Sequence, residues 1–126
     1  MDITRLLYTS SHEWADVQGD VCTVGITQFA VEQLTDVTHL QLPKVGAVVA
    51  AGKPFGEIES VKAVFDLNAP LGGTVIDKNA ALEADPGSIN QDPYTKGWMI
   101  KLKLSPGWKT DHLMNLEAYE KQLADR

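Results

Sequence analysis

Lys62 is the residue with the clearest capacity for chemistry, and it lies in the segment Glu-Ser-Val-Lys-Ala at positions 59–63. Apolar side chains recur at alternate positions on either side of it, and this period of two predicts strands. The segment itself is more polar and less bulky than its flanks. Two short strands with a tight turn between them would place Lys62 in solvent at the tip of a hairpin, where another enzyme could reach its amine.

Two glycines frame this hairpin at fixed distances from the lysine. Gly46 lies sixteen residues before Lys62, and Gly73 lies eleven residues after it. Gly46 has Val and Ala as neighbours, and Gly73 is followed by Thr and Val, a composition typical of turns between short strands. Within this frame, segment 59–63 resembles the lipoyl-lysine hairpin of the glycine cleavage system H-protein family.

The resemblance continues along nearly the whole chain, from about Tyr8 to about Tyr119. Five segments in the family's order around a modifiable lysine are far more specific than any one alone. Besides the lysine segment, the matching stretches are Ser11-His12-Glu13-Trp14, Val24-Gly25-Ile26-Thr27, Asp92-Pro93-Tyr94 and Gly97-Trp98-Met99-Ile100.

The resemblance implies a carrier subunit rather than an enzyme, with lipoic acid in amide linkage to Lys62. The implied task is to move the aminomethyl group of glycine from glycine decarboxylase to the aminomethyltransferase. Dihydrolipoamide dehydrogenase would then reoxidise the dithiol, and a lipoate-attaching enzyme is the fourth implied partner. The cofactor would supply the chemistry and the protein would present it.

The resemblance also implies roles for residues around the lysine. Three residues match positions that help the lipoate-attaching enzyme to accept the hairpin: Gly46, Glu59 and Gly73. Three others match positions that hold the loaded arm in a surface cleft: Ser11, Glu13 and Asp66. Carboxylates there suit the charged amine of the load, although solvated strand positions are the simpler interpretation of Glu13 and Asp66.

Three residues depart from the family pattern. Thr35 stands where the family commonly has glycine, His39 replaces a common β-branched residue, and Gln41 replaces a common acidic one. All three lie away from the lysine hairpin. They leave the attachment site intact and bear on the surface that meets the partners.

Other functions of a hairpin lysine remain open at this point. A biotin carrier usually has methionine on both sides of its lysine, where this chain has Val61 and Ala63. The lipoyl domains of 2-oxo acid dehydrogenases usually have aspartate before the lysine and a mobile linker. A lipoate-relay protein that donates lipoyl groups to other acceptors is the alternative from a different class.

A Ser-Lys hydrolase is the enzymatic alternative, because Ser60 and Lys62 are two residues apart and could share one face of a strand. No glycine adjoins them to form an oxyanion site. A hairpin tip is also too open to exclude water. These two features favour a carrier over self-contained catalysis.

Composition narrows the classes of partner. The chain has 126 residues, which suits one domain, and its 44% hydrophobic and 22% charged residues are ordinary for a globular protein. A formal net charge of -6 argues against nucleic acid binding. No apolar run approaches the roughly 18 residues of a membrane span. The first residues lack a signal core and an Arg- and Ser-rich leader, so we expect a cytoplasmic bacterial monomer, or a mitochondrial protein whose transit peptide has been removed.

The cysteine and the histidines suggest no further site. Cys22 is alone in a strand-like run and is expected to be a small buried hydrophobe. The three histidines are scattered, so no metal site is predicted. His12 and Glu13 are neighbours on an expected strand, where adjacent side chains point to opposite faces, so they would not act together on one atom.

The elements that must position these residues are mostly short strands. Leu6–Tyr8 predicts a first strand, and residues 12–17 with 21–24 predict a hairpin around Gly19. A short helix is expected at Thr27–Leu34 with Thr27 as its cap. From about 37 to 76, short strands and turns alternate closely, which predicts a mainly β flattened barrel or sandwich with a hairpin core like that of lipoyl and biotinyl carriers.

Downstream, residues 45–50 predict a strand and Ala80–Ala84 one or two helical turns. Residues 98–104 alternate, which predicts a half-buried strand with Met99, Lys101 and Lys103 on the solvent side. The tail from about 110 to 125 predicts a helix that is interrupted near Asn115. Leu116, Tyr119 and Leu123 recur at helical spacing and are expected to pack on the sheet. We thus expect a single lipoyl-carrier domain over residues 1–126.

Overall fold

Nine strands form two antiparallel sheets in residues 2–125, the part of the chain that the computed structural model describes. The strands are β1 (Leu7–Tyr8), β2 (Glu13–Gln18), β3 (Val21–Ile26), β4 (Val37–Gln41), β5 (Val48–Val49), β6 (Pro54–Ser60), β7 (Val64–Asn68), β8 (Gly73–Lys78) and β9 (Ile100–Leu104). Sheet A has the order β1-β2-β3-β9-β8-β5, and sheet B has the order β4-β6-β7. The predicted mainly β sandwich is confirmed.

Short helices and 3-10 turns connect or flank the strands. The helices are α1 (Gln28–Leu34), α2 (Ala80–Ala84) and α3 (Leu116–Ala124), with 3-10 turns at Ile3–Arg5 and Pro86–Asn90. Within residues 2–125, none of the helices is long and apolar enough to cross a membrane.

The amino-terminal hairpin and the first helix follow the local sequence signals. Strands β2 and β3 pair with Gln18 opposite Val21, and Gly19 takes a φ of +64° in the turn between them. Thr27 accepts a hydrogen bond from the Ala30 N–H at 3.3 Å, so it caps α1 as expected. Both predictions are confirmed.

The main core draws side chains from both sheets. Val24, Leu102 and Val75 of sheet A and Ile58 and Leu67 of sheet B are each at most 2% exposed and belong to one cluster. Cys22 is fully buried in the same cluster, as predicted. Because apolar area removed from water is the dominant favourable term in folding, this cluster fixes the position of the two sheets.

A second, smaller cluster lies under the last helix. It contains Leu6, Tyr8, Trp14 and Tyr119, and Leu116 and Leu123 pack against it. The rings of Tyr8 and Tyr119 stack with centroids 4.7 Å apart. The expected packing of the carboxy-terminal helix on the sheet is therefore confirmed.

The predicted bounds of that helix are wrong at the amino-terminal side. Helix α3 begins at Leu116, because the Asn115 side chain accepts the Ala118 N–H at 2.9 Å and caps it there. Residues 110–114 are not helical. Instead, Met114 pairs with Tyr8 through two main-chain hydrogen bonds of 2.7 and 2.8 Å, which satisfy the edge of sheet A.

Two other predicted details are wrong. Met99 was expected on the solvent side with the lysines, but it is fully buried. The reason is that β9 begins only at Ile100, so the alternation does not extend back to Met99. The strand expected at residues 45–50 shortens to Val48–Val49, because Gly46 turns the chain with a φ of +97°.

Thr35 is strained at the end of α1. Its φ is +62° and its ψ is -132°, a conformation that only glycine adopts at low cost. For a β-branched residue such a φ is an outlier. The conformation explains physically why glycine suits this position.

We expect Thr35→Gly to stabilise the protein by about 1 kcal/mol. The strain energy removed exceeds the contribution of the hydrogen bond that is lost, from the Thr35 hydroxyl to the Leu34 carbonyl. Thr38→Gly, at an exposed position in β4, is the matched control and should destabilise by about 1 kcal/mol. Urea unfolding of both variants measures the difference. A destabilised Thr35→Gly would show that the strain at this position is negligible.

Candidate functional site

Lys62 lies at the tip of the β6–β7 hairpin and is exposed. The two strands pair with Glu59 opposite Val64 and Ile58 opposite Phe65, which leaves residues 61–63 as the connection. Val61, beside the lysine, is 68% exposed. The predicted presentation of Lys62 in solvent at a hairpin tip is confirmed by this geometry.

The main chain of the tip is fixed by the residue two positions before the lysine. Ser60 is only 7% exposed, and its hydroxyl accepts the N–H groups of Lys62 and Ala63, each at 3.2 Å. The Ser60 N–H donates to the Ala63 carbonyl at 2.8 Å. The hydroxyl is thus used by the main chain of the turn, which does not favour the Ser-Lys dyad.

A groove of about 570 Å³ runs beside the same hairpin. Its apolar wall includes Ile26, Phe29, Leu34, Ile58, Phe65 and Leu67. Its polar wall includes Ser11, His12, Glu13, Asp66 and Asn68. The structure therefore brings the three predicted cleft residues, Ser11, Glu13 and Asp66, to one groove that other residues of the lysine hairpin also line.

Glu13 is the buried acid of this groove, only 2% exposed. One carboxylate oxygen accepts the hydroxyls of Thr9 at 2.6 Å and Ser11 at 2.5 Å, and the other accepts the Asn68 N–H at 3.2 Å. Burial raises the pKa of the Glu13 carboxyl above 4.5, and these hydrogen bonds oppose that shift. Because Asn68 ends β7, the carboxylate also ties sheet A to the lysine hairpin.

His12 lines the same groove, which corrects the expectation that it and Glu13 face opposite ways. It precedes β2 and has a φ of +76°, so strand alternation does not apply to it. Its Nδ1 lies 2.8 Å from the Tyr119 hydroxyl, which is 2.7 Å from the Thr27 hydroxyl. These contacts link the groove to helix α3.

Asp66 and Glu59 are both exposed residues of sheet B. Asp66 is directly opposite Glu57, and Glu59 is opposite His39 on one side and Val64 on the other. Glu59 immediately precedes Ser60 and is therefore an exposed residue next to the tip. An enzyme that approached Lys62 could therefore contact it.

Gly46 and Gly73 lie at sheet A rather than at the tip. The Gly46 N–H donates to the Val75 carbonyl at 2.7 Å, and its positive φ explains the glycine. Gly73 pairs with Val49 and Leu104, and a Cβ at this residue would collide with the Lys103 carbonyl oxygen. The main chain alone thus explains why each position is glycine. A role of these glycines in recognition by the lipoate-attaching enzyme stays a prediction.

Three contributors to the site were not found from the sequence. Asn68 acts through its main-chain N–H, which leaves no signal in the residue type. Tyr119 comes from the distant carboxy-terminal helix, so only the fold reveals its contact with His12. Thr9, four residues before Glu13, could have been found as a hydroxyl next to the matched segment.

Comparison with known proteins gives a consistent result over the full length. The family model described as "Glycine cleavage H-protein" matches residues 6–126. A glycine cleavage system H protein of Rubrobacter xylanophilus is 48% identical over 120 residues, which cover 95% of this chain and 93% of the relative. One of Opitutus terrae is 49% identical over 119 residues and covers 94% of each chain.

A solved structure supports the same assignment. The crystal structure of a glycine cleavage system H protein from Mycobacterium marinum has a TM-score of 0.89 and 38% sequence identity. The match covers 96% of this chain and 98% of the other. The two-sheet arrangement is therefore shared with that protein.

We expect the Glu13 carboxyl to titrate with a midpoint above 4.5 in the folded protein, because burial disfavours its charged form. Relative to Glu13→Gln, the wild type should be most stable below pH 4.5 and should lose stability as the pH rises through the folded pKa. Carbon-13 NMR of the side-chain carboxyl, assigned by its loss in Glu13→Gln, measures the midpoint. A value below 4.5 would show that the hydrogen bonds outweigh burial.

Proposed function

Because the chain belongs to the glycine cleavage H-protein family, we propose that it is a lipoylated carrier of glycine cleavage with Lys62 as its attachment site. The observation that supports this most is the exposed lysine at the tip of a hairpin whose own side chains line a groove. We place glycine decarboxylase, the aminomethyltransferase, dihydrolipoamide dehydrogenase and a lipoate-attaching enzyme among its partners.

The residues present fit a lipoyl group. The exposed amine of Lys62 is available for an amide bond. The apolar wall of the groove suits an aliphatic chain and a sulfur-containing ring, and Phe65 extends this wall along the lysine hairpin. When bound, lipoic acid supplies a disulfide that can be reduced and can carry a one-carbon amine between enzymes.

The chain's own part in this function is attachment, orientation and protection. Amide formation removes the positive charge of Lys62 and takes the formal net charge from -6 to -7. Asp66 at the hairpin and Glu13 in the groove place negative charge where an amine would lie. Glu13 already accepts hydrogen bonds from Thr9, Ser11 and the Asn68 N–H, and an ammonium group in the groove would add a charged donor to this carboxylate.

Ser11 and Asn68 hold the Glu13 carboxylate in place before any load arrives. They donate to different oxygens of that carboxylate, which fixes its plane within the groove. Such preorganisation lowers the cost of ordering when an amine binds.

We expect intact mass of protein from lipoate-replete cells to show one added lipoyl group, and Lys62→Arg to show none, because arginine cannot form the amide. Lys53→Arg, at an exposed position before β6, is the matched control and should keep the added mass. A biotin-sized increment would make the protein a biotin carrier. An unmodified wild type in such cells would contradict the proposed function.

Glu59→Gln should lower kcat/KM of lipoate attachment about tenfold, because a charged hydrogen bond to the attaching enzyme would be weakened. Glu57→Gln is the matched control, since Glu57 is exposed on the same strand two residues farther from the tip. Initial rates of attachment by the purified enzyme measure both variants. Equal losses in both would indicate general electrostatic attraction and no specific contact with Glu59.

A further inference from the structure

We propose that Ser60 is a positioning residue for the modification of Lys62: its buried hydroxyl closes the turn that presents the lysine amine to the attaching enzyme. This inference rests on the proposed function, since it concerns the same lysine. It deepens that function by naming what sets the shape of the tip.

The first support is how the turn is closed. The Ala63 N–H donates to the Ser60 hydroxyl at 3.2 Å, and the Lys62 N–H donates to the same oxygen at 3.2 Å. The Ser60 hydroxyl lies 3.4 Å from the Ala63 carbonyl and can donate to it. The Ser60 hydroxyl therefore bonds main-chain N–H and C=O groups of the turn at once, a local pattern that serine and threonine commonly form.

The tip also lacks the glycine that usually allows such a tight turn. Tight hairpin connections commonly need residues with a positive φ, most often glycine or asparagine. Residues 61–63 are Val, Lys and Ala, and none of them has a positive φ among the described residues. The hydroxyl of Ser60 supplies the closure that a glycine would otherwise allow.

The third support is the anchoring of the turn to the body of sheet B. The Val61 N–H donates to the Asp36 carbonyl at 3.2 Å, immediately before β4. Ser60 is 7% exposed, whereas Val61 is 68% exposed and Lys62 is also exposed. Hydrogen bonds thus hold the main chain of the tip, while the Lys62 side chain stays exposed.

We infer that the Ser60 hydroxyl affects how well the attaching enzyme binds the tip and not the formation of the amide bond. In attachment, the neutral amine of Lys62 attacks the carbonyl carbon of an activated lipoyl donor. The C–N bond forms, the bond from that carbon to the leaving group breaks, and the amine proton passes to solvent. The Ser60 hydroxyl takes part in none of these changes. Loss of the hydroxyl would reduce the fraction of tips in the accepted conformation, and apparent affinity falls by that fraction.

The test uses the full chain with the purified attaching enzyme, lipoic acid and ATP. Ser60→Ala removes the hydroxyl, and Ser60→Thr with Ser60→Val form a pair of equal shape that differs only in the hydroxyl. Ser88→Ala is the matched control, because it removes a hydroxyl that donates to the Asp85 carbonyl at 2.9 Å, in the 3-10 turn outside sheet B. Reaction of each unmodified protein with a small acylating reagent gives the intrinsic reactivity of Lys62.

We expect Ser60→Ala and Ser60→Val to raise KM for the protein about tenfold, with kcat within about twofold of the wild type. Amide hydrogen exchange at Lys62 and Ala63 should accelerate in both variants, whereas exchange in β9 and the small-reagent reactivity should not change. Ser60→Thr should recover most of the wild-type KM, and Ser88→Ala should match the wild type.

Three results would overturn the inference: a wild-type KM in Ser60→Ala, a loss of kcat at constant KM, or equal impairment of Ser60→Thr and Ser60→Val. The Thr and Val pair decides the matter if Ser60→Ala does not fold. A wild type that acquires no lipoyl group would instead contradict the proposed function, so the two failures are distinguishable.

Discussion

The register of the β6–β7 hairpin is the constraint on which the site depends. Ile58 and Leu67 are buried at 1% and 2% exposure, and they hold the two strands on the core side of sheet B. Because side chains alternate along a strand, a slip of one residue would move both of them to the solvent face. The pairing of Glu59 with Val64 therefore determines that residues 61–63 form the tip, and it also determines that Phe65 and Asp66 reach the groove.

The groove exists because a second hairpin meets the first. Glu13 at the start of β2 accepts the Asn68 N–H at the end of β7, so one buried carboxylate joins the amino-terminal hairpin to the lysine hairpin. A buried carboxylate is costly unless it is hydrogen-bonded, and Glu13 has three donors. The carboxylate of Glu13 therefore connects the two sheets, and we propose that its negative charge also suits an amine load.

Much of this arrangement could be predicted from the sequence, because its determinants are local or carried by the family resemblance. A few adjacent residues determine each local feature: the alternation around Lys62, the capping by Thr27 and the turn at Gly19. Contacts between distant segments could not be predicted in this way. The Tyr119 hydroxyl reaches His12 from 107 residues away, and the positive φ of His12 overrides the expected alternation. Thr35 was recognised only as a departure from the pattern, and its φ of +62° supplies the physical reason for that pattern.

We propose that this chain accepts the aminomethyl group of glycine through a group on Lys62. Release of labelled carbon dioxide from carboxyl-labelled glycine by purified glycine decarboxylase tests it most directly, with this protein as the acceptor. We expect stoichiometric release with the lipoylated wild type and only background release with the unmodified protein or with Lys62→Arg. Background release with fully lipoylated wild type, or full release with Lys62→Arg, would contradict it.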